Sequence, residues 1–190
     1  MHGTNARTAE MCKLVENSSR DVQIAFANEL SVIAHDSGVD VLELINLANK
    51  HPRVNILNPG CGVGGHCIAV DPWFLIHSFP ENTKLIAQAR KGNLEKTEWC
   101  LQRIYEHTRI FTKTHKRSPT ISCMGLAYKP DSDDLRESPA RQIALQLIKN
   151  SDCEVIGCEP NINTDQELVL QNVEDAYNKA DIILWLVAHK

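Results

Sequence analysis

Residues 181–187 read DIILWLV. Six apolar side chains stand in an unbroken run after one aspartate. A run this short and this apolar predicts a strand buried on both faces, as in a parallel sheet. Working back from it, Val173–Lys179 reads as a short helix and Cys153–Gly157 as a second strand. Pro139 opens a helix to about Asn150, with Ser138 as its N-cap. Thr120–Met124 (TISCM) is a third apolar strand. Strand, helix, strand, helix, strand is a βαβαβ half-sheet, which makes the fold class α/β. Three strands and two helices form a thin layer, so this sheet domain is expected to be cut short.

Upstream the periodicity changes. Thr114–Pro119 (THKRSP) reads as a linker, and the domain boundary is placed near residue 118. That gives an all-helical domain over 1–117 and a partial sheet domain over 118–190. Between about Thr8 and Ser37, the residues Leu14, Val15, Val22, Phe26, Leu30 and Ile33 recur mostly at three- and four-residue steps. A helix that long suits the spine of a subunit interface or a link between domains. Gly38 is its expected stop. A short helix follows from Val41 to about Asn49, with Asp40 as N-cap and Glu43 as capping-box partner. Pro72 suits the first turn of another short helix, which Pro80 ends. Asn82–Thr114 is helical and more polar, and Gly92 argues against one unbroken rod.

Composition narrows the function classes. Twenty Lys+Arg against 24 Asp+Glu leave a net charge of −4 without a basic stripe, which argues against nucleic acid as the main partner. With 43% hydrophobic residues the chain can build a core, which excludes a disordered chain. No apolar run approaches the roughly 18 residues of a membrane span. The first ten residues, MHGTNARTAE, hold no apolar stretch, so no secretory leader is expected. Seven scattered cysteines read as reduced thiols in a cytoplasmic protein.

The chemistry concentrates in three places. HPRVNILNPGCGVGGHCIAVD at 51–71 packs Gly60, Gly62, Gly64 and Gly65 into six residues, so the backbone can turn sharply or approach a ligand. Cys67 follows this loop and precedes Asp71 by four residues. It reads either as a buried structural cysteine or as a nucleophile, whose thiolate a nearby cation or helix terminus favours. Cys61, His66 and Cys67 match no standard zinc spacing, and no metal is expected. Lys13 and Asn17 share one helix face and offer an ammonium and an amide, a pair able to hold an oxyanion or simply to be solvated. Arg53 can meet a phosphate or a hydroxyl-rich ligand, or lie on the surface. In GLAYKPDSDDLRESPA at 125–140, Lys129 and Arg136 follow the first strand, where parallel sheets bind anionic ligands. Gly125 stands alone there, without a GxGxxG fingerprint.

Taken together, AEMCKLVENSSRDVQIAFANE at 9–29, PGCGVGGHCIAVDPWF at 59–74 and GLAYKPDSDDLRESPA at 125–140 resemble the UDP-glucose/GDP-mannose dehydrogenase family. The resemblance runs from about Ala6 onward and implies a helical central dimerisation domain followed by a truncated Rossmann-like domain that binds a UDP-sugar. HPRVNI with GGHCIAVDPWF is most similar to members acting on UDP-N-acetyl-D-mannosamine. Ala69 and Val70 stand where UDP-glucose enzymes carry Pro and Lys, although UDP-N-acetylglucosamine or UDP-glucose stay open as substrates. The implied activity is oxidation of the C6 alcohol to a carboxylate with two NAD+, through a thiohemiacetal and a thioester.

In that scheme Cys67 is the nucleophile, Lys13 and Asn17 steady the oxyanions, and Asp71 serves proton transfer. Arg53, Gly60, Gly64, Gly65, Lys129 and Arg136 contact the sugar nucleotide, and Lys129 and Arg136 also serve the cofactor side. The family's NAD-binding Rossmann domain has no counterpart in the sequence. The chain alone is therefore expected to be inactive as a dehydrogenase, and to act as a homodimer or with a separate NAD-binding domain. The rival readings are an inactive dimeric UDP-sugar-binding remnant and an unrelated thiol hydrolase with His66 as base. Cys61 departs from the family pattern, and a disulfide with Cys67 under oxidation is a further expectation.

Overall fold

The structure is a computed structural model that describes residues 4–189. The reading of the first ten residues begins on Met1–Gly3, which lie outside the described residues. The chain forms two compact units, one ending at Lys96 and one beginning at Thr97. Among the described residues no helix is long and apolar enough to cross a membrane.

The first unit is built from helices. Helix α1 spans Ala6–Ser37. Asn5 caps its start, its side chain accepting from the Thr8 N–H at 2.8 Å. Gly38, at φ +67°, ends it in the left-handed conformation, and the Val39 N–H donates to the Ala34 carbonyl at 2.9 Å. Helix α2, Val41–Ala48, starts where Asp40 accepts from the Leu42 and Glu43 N–H groups. An irregular stretch then leads to α3, Asp71–Ser78, with Pro72 in its first turn. Pro80 opens a single 3-10 turn, Pro80–Asn82.

Helix α4 runs unbroken over Lys84–His115 and passes from the first unit into the second. Gly92, which counted against one unbroken rod, does not interrupt it. A glycine costs roughly 1 kcal/mol against alanine inside a helix. On the same helix the buried Arg90 pairs with Asp21, and the buried Asn93 is bonded to Asn28 and Asp21, so both sides of Gly92 are tied to α1.

The inward face of α1 is not the apolar stripe. The helix buries Ser18, Asp21, Ala25, Ala27, Asn28 and Ala34, while Met11, Val15, Phe26 and Ile33 are exposed. At 3.6 residues per turn Val15, Phe26 and Ile33 share a stripe well apart from that of Asp21, Ala25 and Asn28. The small and polar residues meet the rest of the unit.

The second unit holds the sheet. Strands β1 (Thr120–Met124), β2 (Glu154–Cys158) and β3 (Ile182–Trp185) are all parallel, in the order β2-β1-β3. Helices α5 (Pro139–Asn150) and α6 (Val173–Lys179) form the crossovers. The two crossovers run in opposite directions across the sheet, so right-handedness puts their helices on opposite faces. On α5, Ala140, Ile143, Ala144 and Leu147 are wholly buried. Ala176 of α6 packs with Met124, Ile156 and Cys158.

The expectation of a buried third strand is corrected. Among the described residues β3 pairs only with β1 and lies at the sheet edge, and Trp185 is 66% exposed. An apolar run of this length fits a central strand, and sequence alone does not say which strand is central. Asp181 pins the edge strand in place. Its carboxylate forks on Arg117 at 2.6 and 2.7 Å and accepts from the Thr120 N–H at 2.9 Å. The Arg117 guanidinium, with that N–H, holds the carboxyl down at about 2.

Candidate functional site

The first candidate group lies wholly in the first unit. Lys13 and Asn17 project from neighbouring turns of α1 onto the N-terminus of α3. Asp71, the first residue of α3, is 5% exposed. Its Oδ2 receives the Asn17 amide at 2.6 Å and lies 3.1 Å from Lys13 Nζ. The hydrogen bond to Asp71 raises the Lys13 ammonium above its ordinary value. The charges of Asp71 and then of Cys67 push in the same direction. Cys67 is half-buried on the turn that leads into α3, its carbonyl accepting from the Val70 and Asp71 N–H groups at 3.0 and 2.7 Å. One thiol, one carboxylate, one ammonium and one amide donor therefore converge. That set can deliver a nucleophile to an electrophilic carbon, donate to the oxygen that becomes negative, and handle a proton.

The glycine loop makes the convergence possible. Gly62 and Gly65 have φ of +142° and +81°, where a side chain is strained, and Gly64 and Gly65 are buried. Both ends of the loop are held by side chains. The Gly60 N–H donates to Asn28 Oδ1 at 2.9 Å, and Arg90 Nη1 donates to the Ala69 carbonyl at 3.0 Å. Arg53 stands exposed on the turn after α2, and no contact among the described residues joins it to Cys67. Cys61 and Cys67 are not joined by a disulfide, His66 is exposed, and no cluster of three metal-type ligands forms among the described residues.

The second candidate group lies in the second unit, on the loop after β1. Lys129 is exposed, with its ammonium over the Tyr128 ring at 5.4 Å. Arg136 forks on Asp134 of its own loop at 2.9 and 2.6 Å, so an incoming anion has to take the place of that carboxylate. The loop is held from below by Glu159, a buried residue just past β2. Its Oε2 accepts from the Leu126 and Ala127 N–H groups at 2.7 and 2.9 Å and lies 3.2 Å from His189 Nε2. The described residues do not build a dinucleotide cradle here. A Cβ on Gly125 would stand 2.1 Å from the Val187 carbonyl oxygen, so the chain itself fills the space against that glycine.

Sequence reading missed Asp21, Asn28, Arg90, Asn93 and Glu159. For two of these a signal existed. Asp21 and Asn28 continue the helical stripe of Lys13 and Asn17, which marks a polar face turned toward the same place.

The UDP-glucose/GDP-mannose dehydrogenase family, central domain, matches residues 7–95. The same family's UDP binding domain matches residues 122–190. The chain is similar to the UDP-N-acetyl-D-mannosamine dehydrogenase of Campylobacter jejuni, 49% identical over 98% of this chain and 46% of the relative. It is also similar to the NDP-N-acetyl-D-galactosaminuronic acid dehydrogenase of Ralstonia nicotianae, 50% identical over 98% of this chain and 44% of that relative. Among solved structures it resembles a UDP-N-acetyl-mannosamine dehydrogenase from S. aureus, with a TM-score of 0.84 and 43% identity over 98% of this chain and 43% of that one. The chain spans about half the length of the curated relatives it matches.

Proposed function

We propose, from the premise that this chain belongs to the UDP-glucose/GDP-mannose dehydrogenase family, that it carries the covalent half of a nucleotide-sugar 6-dehydrogenase acting on UDP-N-acetyl-D-mannosamine. The observation that carries the reading is the meeting of Lys13 and Asn17 on buried Asp71 beside Cys67. NAD, the family's cofactor, would supply the hydride acceptor for C6 when bound by an NAD-binding domain.

The chain's own residues act between and after the two hydride losses from C6. The Cys67 sulfur adds to the carbonyl carbon of the C6 aldehyde, and the carbonyl electron pair moves onto oxygen. Lys13 and Asn17 donate to that oxyanion, which takes a proton to give the thiohemiacetal. Loss of the second hydride, with that proton, re-forms the carbonyl as a thioester. Water then adds to the thioester carbon with Asp71 as proton acceptor, the carbon–sulfur bond breaks, and the thiolate leaves the sugar acid. Tethering through sulfur keeps a reactive aldehyde from escaping. Lys129 and Arg136 meet the diphosphate, with Arg136 exchanging Asp134 for it.

The test uses the protein that bears this chain together with an NAD-binding domain. Given UDP-N-acetyl-D-mannosamine, it is expected to form two NADH for each sugar acid, and to prefer this substrate over UDP-N-acetylglucosamine and UDP-glucose. One NADH per sugar, or sugar binding without turnover, would overturn the reading.

The same reading places a homodimer on the exposed apolar stripe of α1, Met11, Val15, Phe26 and Ile33. An apolar strip along a long helix is costly to leave in water. Light scattering at tens of micromolar is expected to give a dimer, and Phe26→Glu a monomer. A monomeric parent chain would sink the proposal.

A further inference from the structure

We infer that Asn28, Asn93, Asp21 and Arg90 are positioning residues for Cys67, acting as one polar relay that fixes both ends of the loop carrying the thiol. The inference rests on the reading of Cys67 as the nucleophile.

The relay can be followed atom by atom. The Gly60 N–H donates to Asn28 Oδ1 at 2.9 Å. Asn28 Nδ2 donates to Asn93 Oδ1 at 2.9 Å. Asn93 Nδ2 donates to Asp21 Oδ1 at 2.9 Å and to the Asp21 carbonyl at 3.1 Å. Asp21 Oδ2 lies 2.9 Å from Arg90 Nε, an ion pair. Arg90 Nη1 donates to the Ala69 carbonyl at 3.0 Å. The run starts on a backbone donor at one end of the loop and ends on a backbone acceptor at the other. Each amide has only one orientation that serves both neighbours, because the Gly60 N–H demands an oxygen and the Asp21 carboxylate demands a donor. Reversing one amide sets oxygen against oxygen.

Burial argues that the relay is not there for stability alone. Asp21, Asn28, Asn93 and Arg90 are 0%, 1%, 1% and 2% exposed. Polar and charged groups this deep are costly to bury, and apolar residues of similar volume commonly pack as stably. What a directional network adds is a unique geometry. The need for one is local. The loop from Gly60 to Ala69 has no regular structure and contains four glycines, so its own backbone barely constrains it.

The frame is shared as well. Lys13, Asn17, Asp21 and Asn28 lie on one side of α1. The helix that presents the ammonium and amide donors thus also holds the loop that presents the thiol. A displacement of roughly 1 Å at a reacting group can cost about 10²-fold in rate, so the distance between thiol and donors has to be set by something stiffer than the loop.

The test measures iodoacetamide alkylation of Cys67 in the 190-residue chain by peptide mass spectrometry, below the melting transition, with exposed Cys12 as internal standard. Asn28→Ala is expected to raise the Cys67-to-Cys12 rate ratio about tenfold, the scale of one lost buried hydrogen bond. Asp21→Asn and Asn93→Asp are each expected to raise it too. The double variant keeps one carboxylate in the pair but moves it to position 93. The amide introduced at position 21 can then donate to that carboxylate and still accept from Arg90, while the position-21 carbonyl loses the donor it had from Asn93. This exchange is expected to bring the ratio below that of either single variant and part of the way back to the parent.

A folded Asn28→Ala with an unchanged ratio would overturn the inference. If Asn28→Ala does not fold, the exchange of Asp21 and Asn93 decides: partial rescue by the double variant supports the relay, and failure of a folded double variant to bring the ratio below that of either single variant refutes it. These outcomes are independent of the nucleophile reading. That reading fails separately if the intact enzyme still forms acid without the Cys67 thiol.

Discussion

Cys67→Ser in the protein that bears this chain and an NAD-binding domain is expected to lose sugar-acid formation by about 10⁴-fold or more, the scale on which covalent enzymes suffer when the nucleophile is removed. The variant keeps Asp71 with Lys13 and Asn17, so the oxyanion donors and the proton carrier remain in place. A serine hydroxyl is nevertheless a poor nucleophile without a base aimed at it, whereas a thiol ionises readily. The first oxidation does not need the sulfur. The variant should therefore stop at about one NADH per sugar, with the aldehyde detectable by trapping with a hydrazine. Two NADH per sugar from Cys67→Ser at a rate near the parent's would remove Cys67 from the mechanism and leave the chain as a binding remnant.

Arg90→Ala is expected to destabilise the first unit by roughly 3–5 kcal/mol at neutral pH, the cost of leaving a buried charge without its partner. Asp21 is fully buried, and Arg90 is its ion-pair partner at 2.9 Å. In the parent chain, burial already pushes the Asp21 carboxyl above its ordinary value, with Arg90 and Asn93 pulling the other way. Removing Arg90 lets it rise further. A carboxyl raised in the folded state favours folding when protonated, and that contribution is lost as pH rises through the folded value. The deficit of Arg90→Ala should therefore shrink as the solution is acidified from pH 7 toward the raised value. Urea denaturation across that range reads the slope. A deficit that grows on acidification would show that Asp21 is not the group left unpaired. Replacing both members with apolar residues, Asp21→Leu with Arg90→Met, should recover most of the lost stability while leaving the Ala69 carbonyl without its anchor.

Much of the architecture was legible because its signals are local. Asp40, Ser138 and Gly38 mark helix ends through backbone groups within a few residues of themselves, and α1 ends and α2 and α5 begin where those caps place them. The βαβαβ order follows from the alternation of short apolar runs with helical segments. The strand ends shifted slightly, with β2 beginning at Glu154 rather than Cys153 and β3 limited to Ile182–Trp185. Strand ends depend on neighbours that are distant in the chain.

The candidate site was legible in a different way. Lys13 and Asn17 share a helix face by spacing alone, and Cys67 and Asp71 stand four residues apart on one turn. Their meeting joins residues 54 positions apart in the chain, Asn17 and Asp71. The long resemblance across three blocks suggested that meeting, since periodicity carries no information about it.

By itself the sequence determined the helix and strand types, the parallel sheet, the flexible glycine loop and the identity of the chemical groups. These depend on side-chain volume, backbone freedom and capping, all of which act within a few residues. Only the tertiary structure decided which way α1 faces. Its apolar periodicity pointed to one face, yet the helix buries the other, because Asp21 and Asn28 find partners in Arg90 and Asn93 some 65 to 72 positions away. A buried polar residue is tolerable only when a complementary group meets it, and that complement is a property of the folded chain. The same reason made Asn28 and Arg90, 62 positions apart in the chain, the anchors of the loop that carries the thiol.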